Sequence, residues 1–212
     1  MYPVLPTVWK SNNFNPDWYD KDYFVSKDGT GEFPEHHCKL TWKASVPFIL
    51  EYENAVDIGC RDGEYARYLS LPFKHVYCFD YRHRRLFSDN VPLDKCTHFK
   101  CGLGEEHKTI SVSGGGSMTS GKVPKEKWHD EEIFTLDQFN LPNISYIKID
   151  VDGFETRVLQ GASDTINKYK PLLVLEAENG NDTAINYCVK NFNYKVVAWD
   201  SNDRNVVMQE NK

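Results

Sequence analysis

Seven short apolar runs, separated along most of the chain by segments of helical periodicity, constrain the fold more than any other feature of this sequence. The runs have the length and composition of β-strands. They cover residues 54–60, 75–80, 96–102, 145–150, 172–178, 194–200 and 205–210. Helical patterns cover residues 64–70, 82–90, 154–168 and 183–191. This alternation predicts an α/β fold whose parallel sheet has helices on both faces.

The last two runs break the alternation, because only the segment "SNDR", residues 201–204, separates them. A connection this short joins antiparallel strands, since a parallel crossover needs a dozen or more residues. We therefore predict a seven-stranded sheet that is mostly parallel and ends in a C-terminal antiparallel hairpin.

The chain divides into two parts by pattern. Residues 41–212 hold most of the regular elements, and the full 212 residues are enough for one domain with a complete core. Residues 1–40 combine several prolines with many aromatic side chains and show no sustained period. We predict that this segment is an irregular arm, which either packs across the domain or forms one wall of a substrate pocket.

Composition argues against several classes of protein. A net charge of -6 and a pI near 5.6 disfavour binding to nucleic acid, which needs a clustered basic face. No apolar stretch reaches the roughly 18 residues of a membrane span, and the N-terminus lacks a signal-peptide pattern, so the expected location is cytoplasmic. The six cysteines form no CxxC pair, which indicates reduced thiols used in packing.

One long interval, residues 103–144, does not fit the alternation. It contains the glycine-rich stretch "SVSGGGSMTSG" at residues 111–121. Long loops inside a compact domain are usually functional, so a mobile flap over a ligand is one interpretation. A plain glycine-rich hairpin tip is the other.

The stretch "AVDIGCRDGEYARYL", residues 55–69, has the strand, glycine turn and helix that present backbone N–H groups at the carboxyl edge of a parallel sheet. A nicotinamide dinucleotide site would carry GxGxxG, whereas here Asp57 precedes Gly59 and Gly63. An acid repels a pyrophosphate but favours a cationic amino-acid group. The ligand that joins such a group to an adenosine is S-adenosylmethionine.

Asp80 closes the second apolar run. An acid at that place can accept hydrogen bonds from both hydroxyls of a ribose. The alternative is that Asp80 only caps the helix that follows.

Four segments carry a resemblance to a known family. They are "VDIGCRDGEYARYL", "CGLGEEHKTISV", "FTLDQF" and "ISYIKIDVDGFETRVLQGASDTINKYKPLLVLE", in this order along the chain. Together they resemble the FkbM-type methyltransferases. The resemblance implies a Rossmann-like seven-stranded methyltransferase sheet, S-adenosylmethionine as cofactor with S-adenosylhomocysteine as product, and O-methylation of a hydroxyl on a small molecule, sugar or glycan.

The resemblance also implies which positions bind the cofactor. They are Asp57, Gly59, Cys60, Gly63, Tyr65, Asp80, Tyr81, Gly102, Leu103 and Asp150. Three positions depart from the family pattern. Asp80 and Asp152 each stand where the family usually has the longer glutamate, and Cys60 replaces the small residue that usually follows the first glycine.

The segment "YIKIDVDGFE", residues 146–155, supplies the catalytic candidates. Asp150 is expected at the end of a strand beside the first one, where it would serve as a base or position the acceptor. Asp152 and Glu155 are the neighbouring candidates. Lys148 is expected to be buried and to pair with one of these acids.

A metal site is a minor alternative, and we predict none. It would need Asp150 and Asp152 to converge with Glu176 or Glu178, and the spacing of a calcium loop is missing. His107 and His129 would be alternative bases only if the long interval closed over the site.

Two other functions compete with methyl transfer. The departures at Asp80 and Cys60 make a nucleotide-binding module without transfer activity conceivable. A nicotinamide oxidoreductase is the third hypothesis, against which the missing GxGxxG and the antiparallel end of the sheet both count.

Overall fold

The computed structural model describes residues 23–26, 29–32, 37–82, 86–113, 128–177 and 182–212. Its strands are β1 (Tyr23–Ser26), β2 (Gly29–Glu32), β3 (Asn54–Ile58), β4 (His75–Phe79), β5 (Cys96–Phe99), β6 (Gly102–Leu103), β7 (Lys108–Ser113), β8 (Trp128–Phe134), β9 (Ile144–Ile149), β10 (Leu172–Glu176), β11 (Tyr194–Trp199) and β12 (Asn205–Glu210). Its α-helices are α1 (His37–Ser45), α2 (Ala66–Ser70), α3 (Phe87–Asn90), α4 (Glu155–Gln160), α5 (Ser163–Tyr169) and α6 (Thr183–Phe192). Short 3₁₀ turns occur at Val46–Phe48 and Leu136–Phe139.

The main sheet has seven strands in the order β11-β12-β10-β9-β3-β4-β5. All neighbouring pairs are parallel except those made by β12, which runs antiparallel to both β10 and β11. The seven predicted strands and the C-terminal antiparallel hairpin are therefore confirmed.

The strand order reverses at β3. The chain moves outward from β3 through β4 to β5, and then returns to β9 on the other side of β3. Ligands of open α/β sheets bind outside the carboxyl ends of the strands at such a switch point. The topology therefore places the site at the ends of β3, β4 and β9.

Apolar side chains cover both faces of the sheet. Helices α1, α2 and α3 pack on one face, where Leu69 and Phe87 are fully buried. Helices α4, α5 and α6 pack on the other, where Val158, Leu159 and Ile166 are fully buried. The prediction of helices on both faces is confirmed.

The single helix predicted over residues 154–168 is wrong, because two helices occupy this segment. The chain turns at Gly161, where a Cβ atom would lie 1.9 Å from the carbonyl oxygen of Gly104. The carboxylate of Asp137 then accepts hydrogen bonds from the backbone N–H groups of Asp164 and Thr165 at 3.0 and 2.9 Å, which caps the start of α5. Contacts with a distant segment, rather than local propensity, break the helix.

The interval 103–144 forms a second sheet, which sequence analysis did not predict. Its three strands lie in the order β6-β8-β7. Polar side chains pair across β7 and β8: Thr109 donates to Glu132 at 2.6 Å and Ser111 donates to Asp130 at 2.5 Å. Such strands lack the apolar run that marks a buried strand. Gly114 to Gly116 lie outside the described residues, so the flap stays a prediction.

The predicted N-terminal arm also lies largely outside the described residues. Within its range, β1 pairs with β2 and α1 begins at His37. Across the part of the chain that the structure describes, no helix combines the length and apolar character needed to cross a membrane.

Candidate active site

A pocket of about 390 Å³ opens at the carboxyl edge of the main sheet, where the topology places it. The segments that follow five neighbouring strands line it, together with the start of α1 and the turn before β12. Its lining residues are His37, Ile58, Gly59, Arg61, Phe79, Asp80, Tyr81, Arg82, Cys101, Gly102, Leu103, Asp150, Val151, Asp152, Glu176 and Arg204. Predicted site residues Gly59, Asp80, Tyr81, Gly102, Leu103, Asp150 and Asp152 are therefore brought together.

The glycine turn after β3 approaches the end of β9 closely. Gly59 has a φ of +80°, and a Cβ atom there would lie 1.8 Å from the carbonyl oxygen of Asp150. The backbone N–H groups of Gly59 and Cys60 both donate to the carbonyl oxygen of Phe79, at 2.9 and 3.2 Å. Only glycine fits this position. The turn therefore lines the pocket with backbone atoms.

Asp80 joins two loops at the pocket. It is 7% exposed. One carboxylate oxygen accepts a hydrogen bond from the backbone N–H of Arg61 at 3.1 Å, and the other accepts one from the backbone N–H of Arg82 at 2.8 Å. A carboxylate at this position of the pocket can also accept hydrogen bonds from the hydroxyls of a ribose. The described helix that follows begins at Phe87 with Leu86 as its N-cap, so Asp80 does not cap that helix.

Replacing Asp80 by alanine is expected to weaken the binding of S-adenosylhomocysteine by about 100-fold or more. The physical reason is the loss of two charge-assisted hydrogen bonds to a ribose, each of about 1.5 kcal/mol or more. Calorimetric titration measures the effect. Asp94→Ala is the matched control, because Asp94 is an exposed carboxylate just before β5, at the opposite edge of the sheet. Equal affinities of the two variants would contradict the ribose role.

The buried Lys148 forms an ion pair with Asp150, which is partly exposed in the pocket. Lys148 is 3% exposed, and its Nζ lies 2.7 Å from Oδ2 of Asp150. Burial alone would lower the pKa of Lys148 and raise that of Asp150, but the charges of the pair reverse both directions. The predicted pairing of Lys148 with an acid is confirmed. As a consequence, Asp150 stays ionised and is a weak proton acceptor.

Asp57 lies opposite Lys148 in the β3–β9 pair and is fully buried. Neither of its carboxylate oxygens has a hydrogen-bond partner among the residues that the structure describes. Burial raises the pKa of Asp57 to about 7, although the charge of Lys148 opposes the shift. Asp57 does not line the pocket.

The raised pKa of Asp57 predicts a loss of stability as the pH rises. Because the folded-state pKa of about 7 exceeds the ordinary 3.8, the folded state holds the proton more tightly. Its stabilising effect is complete below pH 3.8 and fades as the pH rises to about 7, by up to about 4 kcal/mol. Urea unfolding between pH 4.5 and 8 is expected to show this decline in the wild-type chain and not in Asp57→Asn. Parallel pH curves for the two proteins would contradict the assignment.

Glu155 shapes the turn after β9 and does not line the pocket. It is 2% exposed, and its Oε1 accepts hydrogen bonds from the backbone N–H groups of Val151 and Gly153, both at 3.1 Å. Asp152 lies in the turn that Glu155 fixes, with a φ of +53°. Of the two neighbouring candidates, only Asp152 can therefore contact a ligand.

Three predicted cofactor residues, Cys60, Gly63 and Tyr65, do not line the pocket. Cys60 and Tyr65 are both buried. The hydroxyl of Tyr65 is hydrogen-bonded to that of Tyr146, and Lys148 Nζ lies 5.1 Å from the centre of the Tyr65 ring. A Cβ atom on Gly63 would lie 2.9 Å from Val91. The three residues are therefore buried beside the glycine turn and lie outside the pocket lining.

Several pocket residues were not predicted as cofactor or catalytic groups. Arg204 lies 3.6 Å from Glu176, across the edge between β10 and β12. Arg82 lies over the ring of Tyr81 at 5.4 Å, and its buried Nη2 has no hydrogen-bond partner in the described chain. The strand ends could have indicated Glu176 and Arg204. His37 precedes the periodic pattern, so the sequence gives no signal for it.

The described residues contain no group of three or more His, Cys, Asp or Glu side chains that could hold a metal ion. The acids that a metal site would have used are engaged with cations, Asp150 with Lys148 and Glu176 with Arg204. Glu178 lies outside the described residues. His107 precedes β7 and His129 lies in β8, and the two pair with Glu132 and Glu131, respectively.

The strand order and the pocket at the switch point define a Rossmann-like methyltransferase fold. Residues 109–196 match the methyltransferase FkbM domain family, which confirms the resemblance read from the sequence. A search of curated protein sequences gives no match.

Solved structures share the fold. The methyltransferase FkbM of Methylobacillus flagellatus superposes with a TM-score of 0.57 at 18% identity, over 80% of this chain and 47% of that protein. The chain thus spans about half the length of that relative. The precorrin 8w decarboxylase of Methanobacterium thermoautotrophicum superposes with a TM-score of 0.54 at 12% identity, over 90% of this chain and 97% of that protein. At these identities the similarity shows the fold alone.

Proposed function

We propose that the protein transfers a methyl group from S-adenosylmethionine to a hydroxyl oxygen of a small molecule, sugar or glycan. The observation that carries this proposal is the juxtaposition at the switch point of the bare Gly59 turn, the Asp80 carboxylate and the end of β9. The FkbM domain match supports the reaction class.

The pocket residues suit the parts of this methyl donor. The Gly59 turn, beside the ionised carboxylate of Asp150, suits a cationic amino-acid group. Asp80 suits the ribose hydroxyls. Tyr81, Arg82, Gly102 and Leu103 also line the pocket, where they suit the faces and edges of a purine. When bound, S-adenosylmethionine supplies a methyl group on a positively charged sulfur.

The chain's own contribution to transfer is positioning. A displacement at carbon is accelerated chiefly by holding the acceptor oxygen in line with the methyl group and by excluding water. Asp150, Asp152 and Glu176 line the end of the pocket beyond the glycine turn. Their carboxylates can accept hydrogen bonds from acceptor hydroxyls, and their negative charge favours a cationic donor.

The test is transfer of a labelled methyl group to a fractionated pool of metabolites and glycans. The proposal predicts a labelled product whose methyl group resists mild alkali, as an ether does and an ester does not. Label on nitrogen or carbon would contradict O-methylation. Binding of S-adenosylhomocysteine without transfer to any fraction would favour the inactive module.

A further inference from the structure

The start of α1 is fixed over the acceptor end of the pocket. The hydroxyl of Thr41, one turn into the helix, donates to the buried Oδ2 of Asp200 at 2.8 Å and also lies 3.0 Å from the backbone carbonyl of His37. Asp200 also accepts the backbone N–H of Arg204 at 3.0 Å. The carboxylate of Asp200 is therefore hydrogen-bonded both to the helix that begins with His37 and to the turn that contains Arg204. His37 is positioned by the fold and lines the pocket.

The carboxylates near His37 are poor proton acceptors. Asp150 is paired with Lys148 at 2.7 Å, and Glu176 with Arg204 at 3.6 Å. Asp152 is exposed to solvent, in the turn that follows β9. An imidazole has the appropriate proton affinity.

The charged groups around His37 favour its neutral form. Burial is the largest effect and lowers the pKa of His37 below the ordinary 6.5. The positive charges of Lys148, Arg204 and Arg61 lower it further, and the negative charge of Asp150 opposes them. At neutral pH the ring is therefore ready to accept a proton, and Asp150 is close enough to stabilise the imidazolium that results.

We propose that His37 is the general base of methyl transfer and that the acceptor group is a neutral alcohol hydroxyl. The inference rests on the proposed function and deepens it. The acceptor O–H bond breaks, with its proton passing to the imidazole, as the oxygen forms a bond to the methyl carbon. The carbon–sulfur bond breaks with its electron pair remaining on sulfur, which leaves a neutral thioether. The imidazolium then releases its proton to solvent. A carboxylate acceptor would need no base, so the base specifies the alcohol.

The test compares His37→Gln with His75→Gln. Glutamine can still form hydrogen bonds, but its side chain cannot accept a proton at neutral pH. We expect His37→Gln to lower the transfer rate about 100-fold or more with the fractionated acceptor pool, and to leave the affinity for S-adenosylhomocysteine within about twofold. The fall of the wild-type rate at acid pH, caused by protonation of the imidazole, should also disappear. His75 is the matched control. It lies at the start of β4, at the opposite edge of the sheet, and its half-buried imidazole is hydrogen-bonded to Thr97.

The outcomes separate this inference from the proposed function. Wild-type transfer with an unchanged His37→Gln rate overturns the role of His37 and leaves the function standing. Loss of S-adenosylhomocysteine binding in His37→Gln also overturns it, since the residue then acts in cofactor binding or folding. A wild-type chain that methylates no fraction overturns both.

A second measurement needs no acceptor. NMR titration of the His37 ring is expected to give a lower pKa in Asp150→Asn than in the wild-type chain, because the facing negative charge is lost. An unchanged pKa would show that the two side chains do not interact, which contradicts the proposed stabilisation of the imidazolium.

Discussion

Lys148→Met is expected to lower the free energy of unfolding by about 3 kcal/mol at pH 7.5, because it leaves the buried Asp57 and the partly exposed Asp150 without their cation. Asp57 is fully buried and has no hydrogen-bond partner among the described residues, and Asp150 lies 2.7 Å from the lysine that is removed. Methionine fills a similar volume, so packing changes little. Denaturant unfolding monitored by circular dichroism measures the loss.

The loss should shrink in acid, since Asp57, with a pKa raised to about 7, takes up a proton instead of remaining charged. Lys74→Met is the matched control. Lys74 is 67% exposed and pairs with Glu53 at 2.6 Å, so its removal should cost under about 1 kcal/mol. Equal losses of stability in the two variants would mean that Lys148 does not stabilise the carboxylates of Asp57 and Asp150.

Gly59→Ala is expected to lower the free energy of unfolding by about 3 kcal/mol or more and to abolish binding of S-adenosylhomocysteine. A positive φ of +80° is already unfavourable for alanine, and the added Cβ would lie 1.8 Å from the carbonyl oxygen of Asp150. The glycine turn and the end of β9 must then separate, which opens the wall of the pocket. Unfolding and calorimetric titration of the same preparation measure both effects.

Gly153→Ala is the control, because it introduces the backbone strain of a positive φ without the steric clash expected at Gly59. Gly153 has a φ of +93°, and a Cβ atom there would meet nothing within 4 Å. Its substitution should cost only the strain, about 1–2 kcal/mol. Equal losses for Gly59→Ala and Gly153→Ala would mean that the close approach of β3 and β9 does not determine the site.

The seven strands of the main sheet could be predicted because most of them are buried on both faces and therefore read as continuous apolar runs. The second sheet could not, because β7 and β8 pair through polar side chains such as Thr109 and Glu132. The break between α4 and α5 was also hidden. It depends on Gly104, more than fifty residues earlier, which packs against Gly161 where no side chain intervenes.

The candidate site was predictable where it depends on strand ends. Gly59, Asp80 and Asp150 follow directly from three strands whose carboxyl ends meet. Tyr65 was placed in the site by resemblance, yet its contact with Tyr146 turns it into the core. His37 enters the pocket only because Thr41 and Asp200 fasten α1 beside the C-terminal hairpin, a contact across 159 positions that no local pattern indicates.

The most direct test of the account is calorimetric titration of the wild-type chain with S-adenosylhomocysteine and, in parallel, with NAD. The account predicts saturable binding of S-adenosylhomocysteine at one site, weakened by Asp80→Ala, and no binding of NAD. Binding of NAD alone, or S-adenosylhomocysteine binding that Asp80→Ala leaves unchanged, would contradict it.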